Sequence, residues 1–286
     1  MRKVPTCWLL VALVAGTLGT AAFGQGILIA RYHMDEPSWA GAGSVLDDVG
    51  GYNGTPTGSP LPTTSISDPA IAGGLGTCGY GAFPGPEAGG GGVLVTGLPV
   101  STAAGAQTSV AFWMYWDGAD IVMPVGWYRH DLYFYQPPTG AAAVFGFNTG
   151  NSNDVYGIAS TGLANGWHHV AAVFTNGSVT QDALYIDGVA QTLSQQVGTP
   201  FLADAVVGSD LHMGGWGQNT GYRFSSRIDE VNVFNGALTQ AQVTALYNET
   251  HSCLRDVPVP ATSWAGLAAL VVALLAAGFF LLRLRG

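Results

Sequence analysis

The sequence predicts an all-β protein, a two-sheet antiparallel sandwich with one short C-terminal helix, set between two apolar ends. Three observations carry that prediction. Short stretches rich in β-branched and aromatic residues recur along the middle of the chain with Gly, Asn and Asp between them. Glycine supplies 42 of 286 residues, and only 9% of residues are charged although 48% are hydrophobic. The apolar residues between the ends are scattered among Gly, Ser, Thr and Asn, and the roughly 230 residues they span are an ordinary size for one sandwich.

Residues 1–24 have the three-part layout of a secretory signal: Arg2 and Lys3, an apolar stretch from Trp8 to Val14, then small residues ending in Ala22-Phe23-Gly24. The mature chain is expected to start near Gln25. The apolar stretch is shorter than the roughly 20 residues a membrane span needs, which disfavours an uncleaved anchor. Strands are expected over 27–33, 93–98, 109–116, 131–135, 143–148, 168–175, 182–186 and 226–234. Asp187-Gly188 between apolar runs favours a two-residue type I′ hairpin, and Asn176-Gly177 marks a turn just upstream. Strands at 168–175, 182–186 and 189–193 should therefore form a meander. Residues 56–92, with four glycines in a row at 89–92, read as a long loop with room for one strand. Thr239 with Gln242 makes a capping box, and Val243, Leu246 and Tyr247 share one face of the helix that follows.

A proline-stiffened spacer at 254–263 leads into the C-terminal tail, residues 264–286. Trp264 to Leu282 contains 19 uncharged residues, about 28 Å as a helix, close to the thickness of a bilayer core. Arg283 and Arg285 follow at once, which puts the C-terminus in the cytoplasm and the domain at 25–253 outside. Spacer, span and basic end together resemble the sorting tails of bacterial surface proteins, the PEP-CTERM and IPTL-CTERM class handled by exosortase-type peptidases. The match runs from Pro258 to Gly266, with Pro-Ala-Thr-Ser-Trp-Ala-Gly in place of Pro-Thr-Leu-Ser-Glu-Trp-Gly. A plain single-pass anchor without sorting is the competing reading.

Charge narrows the partners. The formal net charge is -9, and setting aside Arg2, Lys3, Arg283 and Arg285 leaves five arginines against 18 acids, a net of -13. Such a domain repels phosphate backbones and has no basic cluster to release counterions, so nucleic-acid binding is excluded. Cys7 leaves with the signal, so Cys78 and Cys253 form an even pair in an oxidising compartment, where a bridge is the default. In the chain-entropy picture a loop of that length would stabilise the fold by roughly 5 kcal/mol. Two separate buried thiols are the alternative.

Several stretches in order resemble the LamG-like jelly-roll family, sandwiches of the concanavalin A type. Ile29 to Glu36 is similar to the family's opening strand, and Asp47-Asp48-Val49-Gly50-Gly51-Tyr52-Asn53-Gly54-Thr55 to its Asp-x-x-Gly-x-x-x-Gly loop. Trp167-His168-His169-Val170-Ala171 with Tyr185-Ile186-Asp187-Gly188 resembles the central hairpin. Arg227-Ile228-Asp229-Glu230-Val231, then Ala237-Leu238-Thr239, resembles the closing strand and helix. The resemblance covers about Gly26 to Cys253 and implies a jelly-roll fold. The Gly-rich stretch 85–92 departs from the family's Asp-Gly-x-x-Asp-Tyr pattern.

Chemistry candidates are few. Adjacent Asp229 and Glu230 in a strand point to opposite faces, and the Glu-x-Asp-x-x-Glu spacing of related glucanases does not occur. The histidines lack His-x-His or His-x-x-x-His spacing for zinc, and no Gly-x-Ser-x-Gly elbow or phosphate-binding glycine loop is present. Calcium is the metal expectation, since Asp47, Asp48 and Asn53 fall in one oxygen-rich loop and the resemblance adds Asp229; a loop held by Asx turns is the alternative. Trp127, Tyr128 and Trp216 are the candidate ligand contacts, because sugars stack on flat rings beside polar groups. The reading is a non-catalytic extracellular module for a glycan or protein, anchored or sorted through residues 264–286. A divergent glycoside hydrolase or lyase and a structural pilus or matrix component are the alternatives.

Overall fold

The computed structural model describes residues 25–65, 77–86, 91–138, 140–150, 153–216 and 220–249. These residues build two eight-stranded sheets whose paired strands all run antiparallel. In the first, Gln107–Tyr115 lies between Trp167–Thr175 and Arg227–Asn235. Ala183–Ile186 and Val189–Ala190 extend it on one side; Ile27–Tyr32, Tyr80–Ala82 and Thr63–Ser65 complete it on the other. The expected meander is there: Ile186 pairs with Val189 across Asp187 and Gly188, whose φ values of 51° and 79° are those of a type I′ turn.

The second sheet runs in the order Ser194–Val197, Val155–Ala159, Val144–Asn148, His130–Tyr135, Val125–Trp127, Leu211–Met213, Val93–Val95 and Thr55–Pro56. Five of these strands, Thr55–Pro56, Val125–Trp127, Val155–Ala159, Ser194–Val197 and Leu211–Met213, fall where the sequence suggests none. The long loop expected over 56–92 likewise holds the short strands Thr63–Ser65 and Tyr80–Ala82, paired with each other.

Side-chain alternation explains the layers. Val110, Phe112, Met114 and Phe174 from the first sheet meet Trp127, Leu132, Phe134 and Phe147 from the second in the main core. Phe174 takes the edges of both Trp127 and Phe147 at centroid distances of 5.0 Å. The opposite side chains of the first sheet, Ala111, Ala171 and Val173, pack under Leu238 and Val243. The helix Gln240–Tyr247 thus covers the outer face, which is why its central strands are apolar on both sides. Thr239 accepts from the Gln242 amide while the Gln242 side chain accepts from the Thr239 amide, so the expected capping box forms. The closing strand departs from simple alternation: Glu230 has φ of 51° and the register slips between Asp229 and Asn232, a β-bulge.

Among the described residues no helix is long and apolar enough to cross a membrane. The secretory signal at 1–24 and the spacer and tail at 254–286 lie outside them. Cys78 is disulfide-bonded; Cys253, the partner the sequence suggests, also lies outside the described residues.

Candidate functional site

The strand His130–Tyr135 sends Leu132 and Phe134 into the core and Asp131, Tyr133 and Tyr135 to the far face of the second sheet. Loops carrying Met123, Trp216 and Tyr222 fold over that face and leave a cavity of about 230 Å³. Its walls are rings. Tyr133 stacks on Tyr135 at 5.6 Å and meets Tyr222 edge-on at 6.0 Å. Tyr222 stands edge-on to Trp216 at 5.6 Å, and Trp216 stacks on Tyr128 at 5.8 Å with 21° between the planes.

The floor is polar. Asp131 and Asn148 are cross-strand neighbours, and both line the cavity with Asn153. Asn153 donates from Nδ2 to the Tyr135 hydroxyl at 3.1 Å. Opposite Asp131 on its other side stands Gly126, where a Cβ would lie 2.5 Å from the Asp131 Cα, so only glycine leaves space for this carboxyl. Burial pushes the Asp131 carboxyl well above the usual carboxylate range, against a smaller opposing effect of the Arg129 backbone amide. Burial raises the Tyr133 hydroxyl too. The floor therefore presents a carboxyl whose burial disfavours charge, beside phenolic hydroxyls that can donate and accept. Trp216 Nε1 is buried without an acceptor among the described residues.

Of the three ring candidates, Trp216 lines this cavity and Tyr128, 43% exposed, flanks it. Trp127 does not belong here. It is 0% exposed and points into the core, because Gly126 takes the outward position of that short strand. Asp131, Tyr133, Asn148, Asn153 and Tyr222 were missed as site residues. The signal for the first two was the run Asp131-Leu132-Tyr133-Phe134-Tyr135, polar-tipped at every second residue.

The calcium candidates separate. Asp47 Oδ1 accepts from the amides of Arg31 and Val49 at 2.8 and 3.0 Å, and Oδ2 from those of Gly50 and Tyr52 at 3.0 and 2.8 Å. Asn53 Oδ1 accepts from the Asp47 amide at 2.9 Å. The carboxylate of Asp47 is thus engaged as a loop organiser. Asp48 is linked through His33, whose ring nitrogens lie 3.1 Å from Asp48 Oδ2 and 2.7 Å from Glu230 Oε2. Asp229, beside Glu230, is fully buried, with the Thr77 side chain near its carboxyl. Burial, then the charges of Glu230 and Asp35, push its carboxyl well above the usual range, although the Thr77 side chain favours the ionised form. Among the described residues no three His, Cys, Asp or Glu side chains form a metal cage.

The histidine pair is structural. His168 Nδ1 lies 2.8 Å from Asp187 Oδ2, and the His169 amide donates to Asp187 Oδ1 at 2.9 Å, which ties the strand to the hairpin turn. The His169 ring packs edge-on to Trp113 at 5.3 Å.

The fold has counterparts among known proteins. Residues 88–244 match the family described as the concanavalin A-like lectin/glucanases superfamily. No curated protein matches the sequence. Among solved structures, the chain is similar to domain 4 of AbnA, a GH43 extracellular arabinanase from Geobacillus stearothermophilus, in complex with arabinotriose. The TM-score is 0.50 and the identity 18%, over 78% of this chain and 100% of that one. The binding domain of Paraclostridial mosquitocidal protein 1 matches with a TM-score of 0.43 and 14% identity, over 77% of this chain and 52% of that one. The receptor-binding domain of botulinum neurotoxin C/D mosaic serotype matches with a TM-score of 0.43 and 11% identity, over 77% and 50%. This chain spans about half the length of those two toxin domains. At these identities the likeness is one of fold. With the family match covering more than half its length, the chain belongs to the concanavalin A-like lectin/glucanases superfamily.

Proposed function

We propose that this protein is a non-catalytic glycan-binding module that works outside the cell and binds at the cleft over Asp131. The observation that carries this reading is the pairing of an aromatic wall, Trp216, Tyr222 and Tyr133, with a polar floor, Asp131, Asn148 and Asn153, around about 230 Å³. Sugar rings present apolar faces and hydroxyl edges, and such a cavity meets both. Domain 4 of the arabinanase, in complex with arabinotriose, lends the carbohydrate class further support. Against hydrolysis, the described residues lining the cleft include one carboxyl where glycoside cleavage needs two facing ones. Calorimetric titration of the secreted domain with a panel of soluble oligosaccharides tests the reading. We expect at least one to bind and Trp216→Ala to weaken it tenfold or more; no binding by folded protein would sink it.

The address belongs to the same proposal. Residues 1–24 as a cleaved signal and 264–282 as a span with arginines behind it support a bacterial envelope protein, single-pass with its C-terminus inside, which an exosortase-type peptidase then releases to the surface. Cys78 paired with Cys253 would fasten the end of the domain just before the spacer.

Calcium is the second element, and the buried carboxylate of Asp229 beside Asp35 and Glu230 favours it. Asp229 would supply a hard oxygen ligand, while Asp47 and Asn53 organise their own loop. A higher melting temperature in calcium than in chelator is the expected result; identical curves would remove the metal from the reading.

A further inference from the structure

Beyond the cleft lies a second cavity, of about 460 Å³, between Tyr128, Arg129 and the loop holding Asp204 and Asp210. The two cavities are neighbours at two points. Tyr128 of the outer one stacks on Trp216 of the inner one, and Gly150 of the inner one lies so close to Arg129 that an added Cβ would sit 2.7 Å from the Arg129 Cβ. They differ in kind. The inner cavity is smaller than the roughly 300–1,000 Å³ of sites for drug-sized ligands, and rings wall it in, so it has room for one sugar ring rather than a chain passing through. The outer one is larger and has Tyr128, 43% exposed, at its edge.

Charge complements the shape. Arg129 is the one basic side chain around the two cavities among the described residues, and it is already ion-paired with Asp204 and lies over the Tyr128 ring at 5.0 Å. Asp204 is paired with that arginine and burial disfavours charge on Asp131, which leaves Asp210, among the described residues, as the carboxylate at the outer cavity without an ion pair, within a domain that is acidic throughout. A uronate or sulfated sugar would meet carboxyls and find no free cation.

We infer that the two cavities are consecutive subsites for the end of a short, neutral oligosaccharide: the terminal residue sits in the inner cavity and the next one or two cross the Tyr128–Trp216 stack into the outer. This rests on the glycan-binding reading above and assigns that site a direction, a length and a ligand charge. The stack is the crossing point because it belongs to both cavities. The ring of Tyr128, fixed between Trp216 and Arg129 and 43% exposed, offers the second residue its outer edge and hydroxyl.

The test is calorimetric titration with gluco-, manno-, xylo- and galacto-oligosaccharides of one to four units and with oligogalacturonates of two and three, using wild type, Tyr128→Ala and Trp216→Ala, with circular dichroism to verify folding. Expected is a neutral series whose affinity rises about tenfold or more between one and three units and then levels. Tyr128→Ala should shrink that ratio to under threefold, and Trp216→Ala should lower affinity at every length. A neutral series that binds with no dependence on chain length, or with a length dependence that Tyr128→Ala leaves intact, overturns the two-subsite inference while glycan binding stands. Preference for the galacturonates overturns it as well. Absence of binding to every sugar by folded protein removes both the inference and the reading beneath it.

Discussion

Tyr128 and Trp216 stack with ring centroids 5.8 Å apart, although Trp127, one residue before Tyr128, points the opposite way into the core. Neighbours in sequence are thus divided between stability and binding. Trp127→Ala should destabilise the domain by about 3–5 kcal/mol, the cost of emptying a filled core position. Trp216→Ala should cost far less stability and most of the sugar affinity. Denaturant unfolding of both variants beside calorimetry checks this; equal destabilisation by the two would show that Trp216 is core as well.

Asp131 yields a prediction with a definite sign. Its folded pKa is raised by burial, so it contributes fully below about pH 3.9, the unfolded value, and the contribution is lost as pH rises through the folded value. Asp131→Asn should therefore be more stable than wild type at pH 7, because the variant avoids placing a charge in a buried position. At pH 3 the two should converge. A variant less stable than wild type at pH 7 would mean that the carboxylate is ionised and held by partners.

His169 works in the other direction. Burial lowers its pKa to about 4, with the Asp187 charge opposing. A histidine kept neutral in the fold contributes fully above its unfolded value near 6.5, and that contribution is lost as pH falls from 6.5 toward 4. Relative to His169→Gln, the wild type should lose about 2–3 kcal/mol across this interval. Parallel stability curves for the two proteins would refute the assignment. His168, whose pKa is raised chiefly by its bond to Asp187, adds stability below 6.5 that fades as pH climbs through its folded value, and it is common to both proteins.

Asp229 separates proton from metal. In chelator, Asp229→Asn should stabilise the domain, because it removes a carboxyl that burial and the Glu230 charge penalise. In millimolar calcium the order should reverse, since the wild type gains binding energy that the variant lacks. If the variant is the more stable under both conditions, calcium does not act through Asp229.

Much of the fold was legible in the sequence because the central strands are long, apolar and bounded by Gly, Asn or Asp. The Trp167–Thr175 meander, the Asp187-Gly188 turn and the Thr239 capping box follow from local chemistry alone. The edge strand Ser194–Val197 was not legible: Ser-Gln-Gln-Val is polar, exposed and paired on one side, so its strand character comes from its neighbour. Val155–Ala159 was hidden by Gly157, which lies against the backbone of Phe145. The site was half legible. Tyr128 and Trp216 stand out as rings, but a three-residue strand does not show its phase, so Trp127 and Tyr128 cannot be told apart in sequence. The floor of Asp131, Asn148 and Asn153 forms only when strands pair, and the saturation of Asp47 by four amides needs the folded loop.

Entry of sugars into the cavity over Asp131 is read out by amide and indole NMR shifts during titration with a binding oligosaccharide. The largest shifts are expected at the Trp216 indole N–H and at the amides of Tyr133, Asn148, Asn153 and Tyr222. Shifts centred instead on the outer face near Arg31 and Leu246, with Trp216 unmoved, would contradict it.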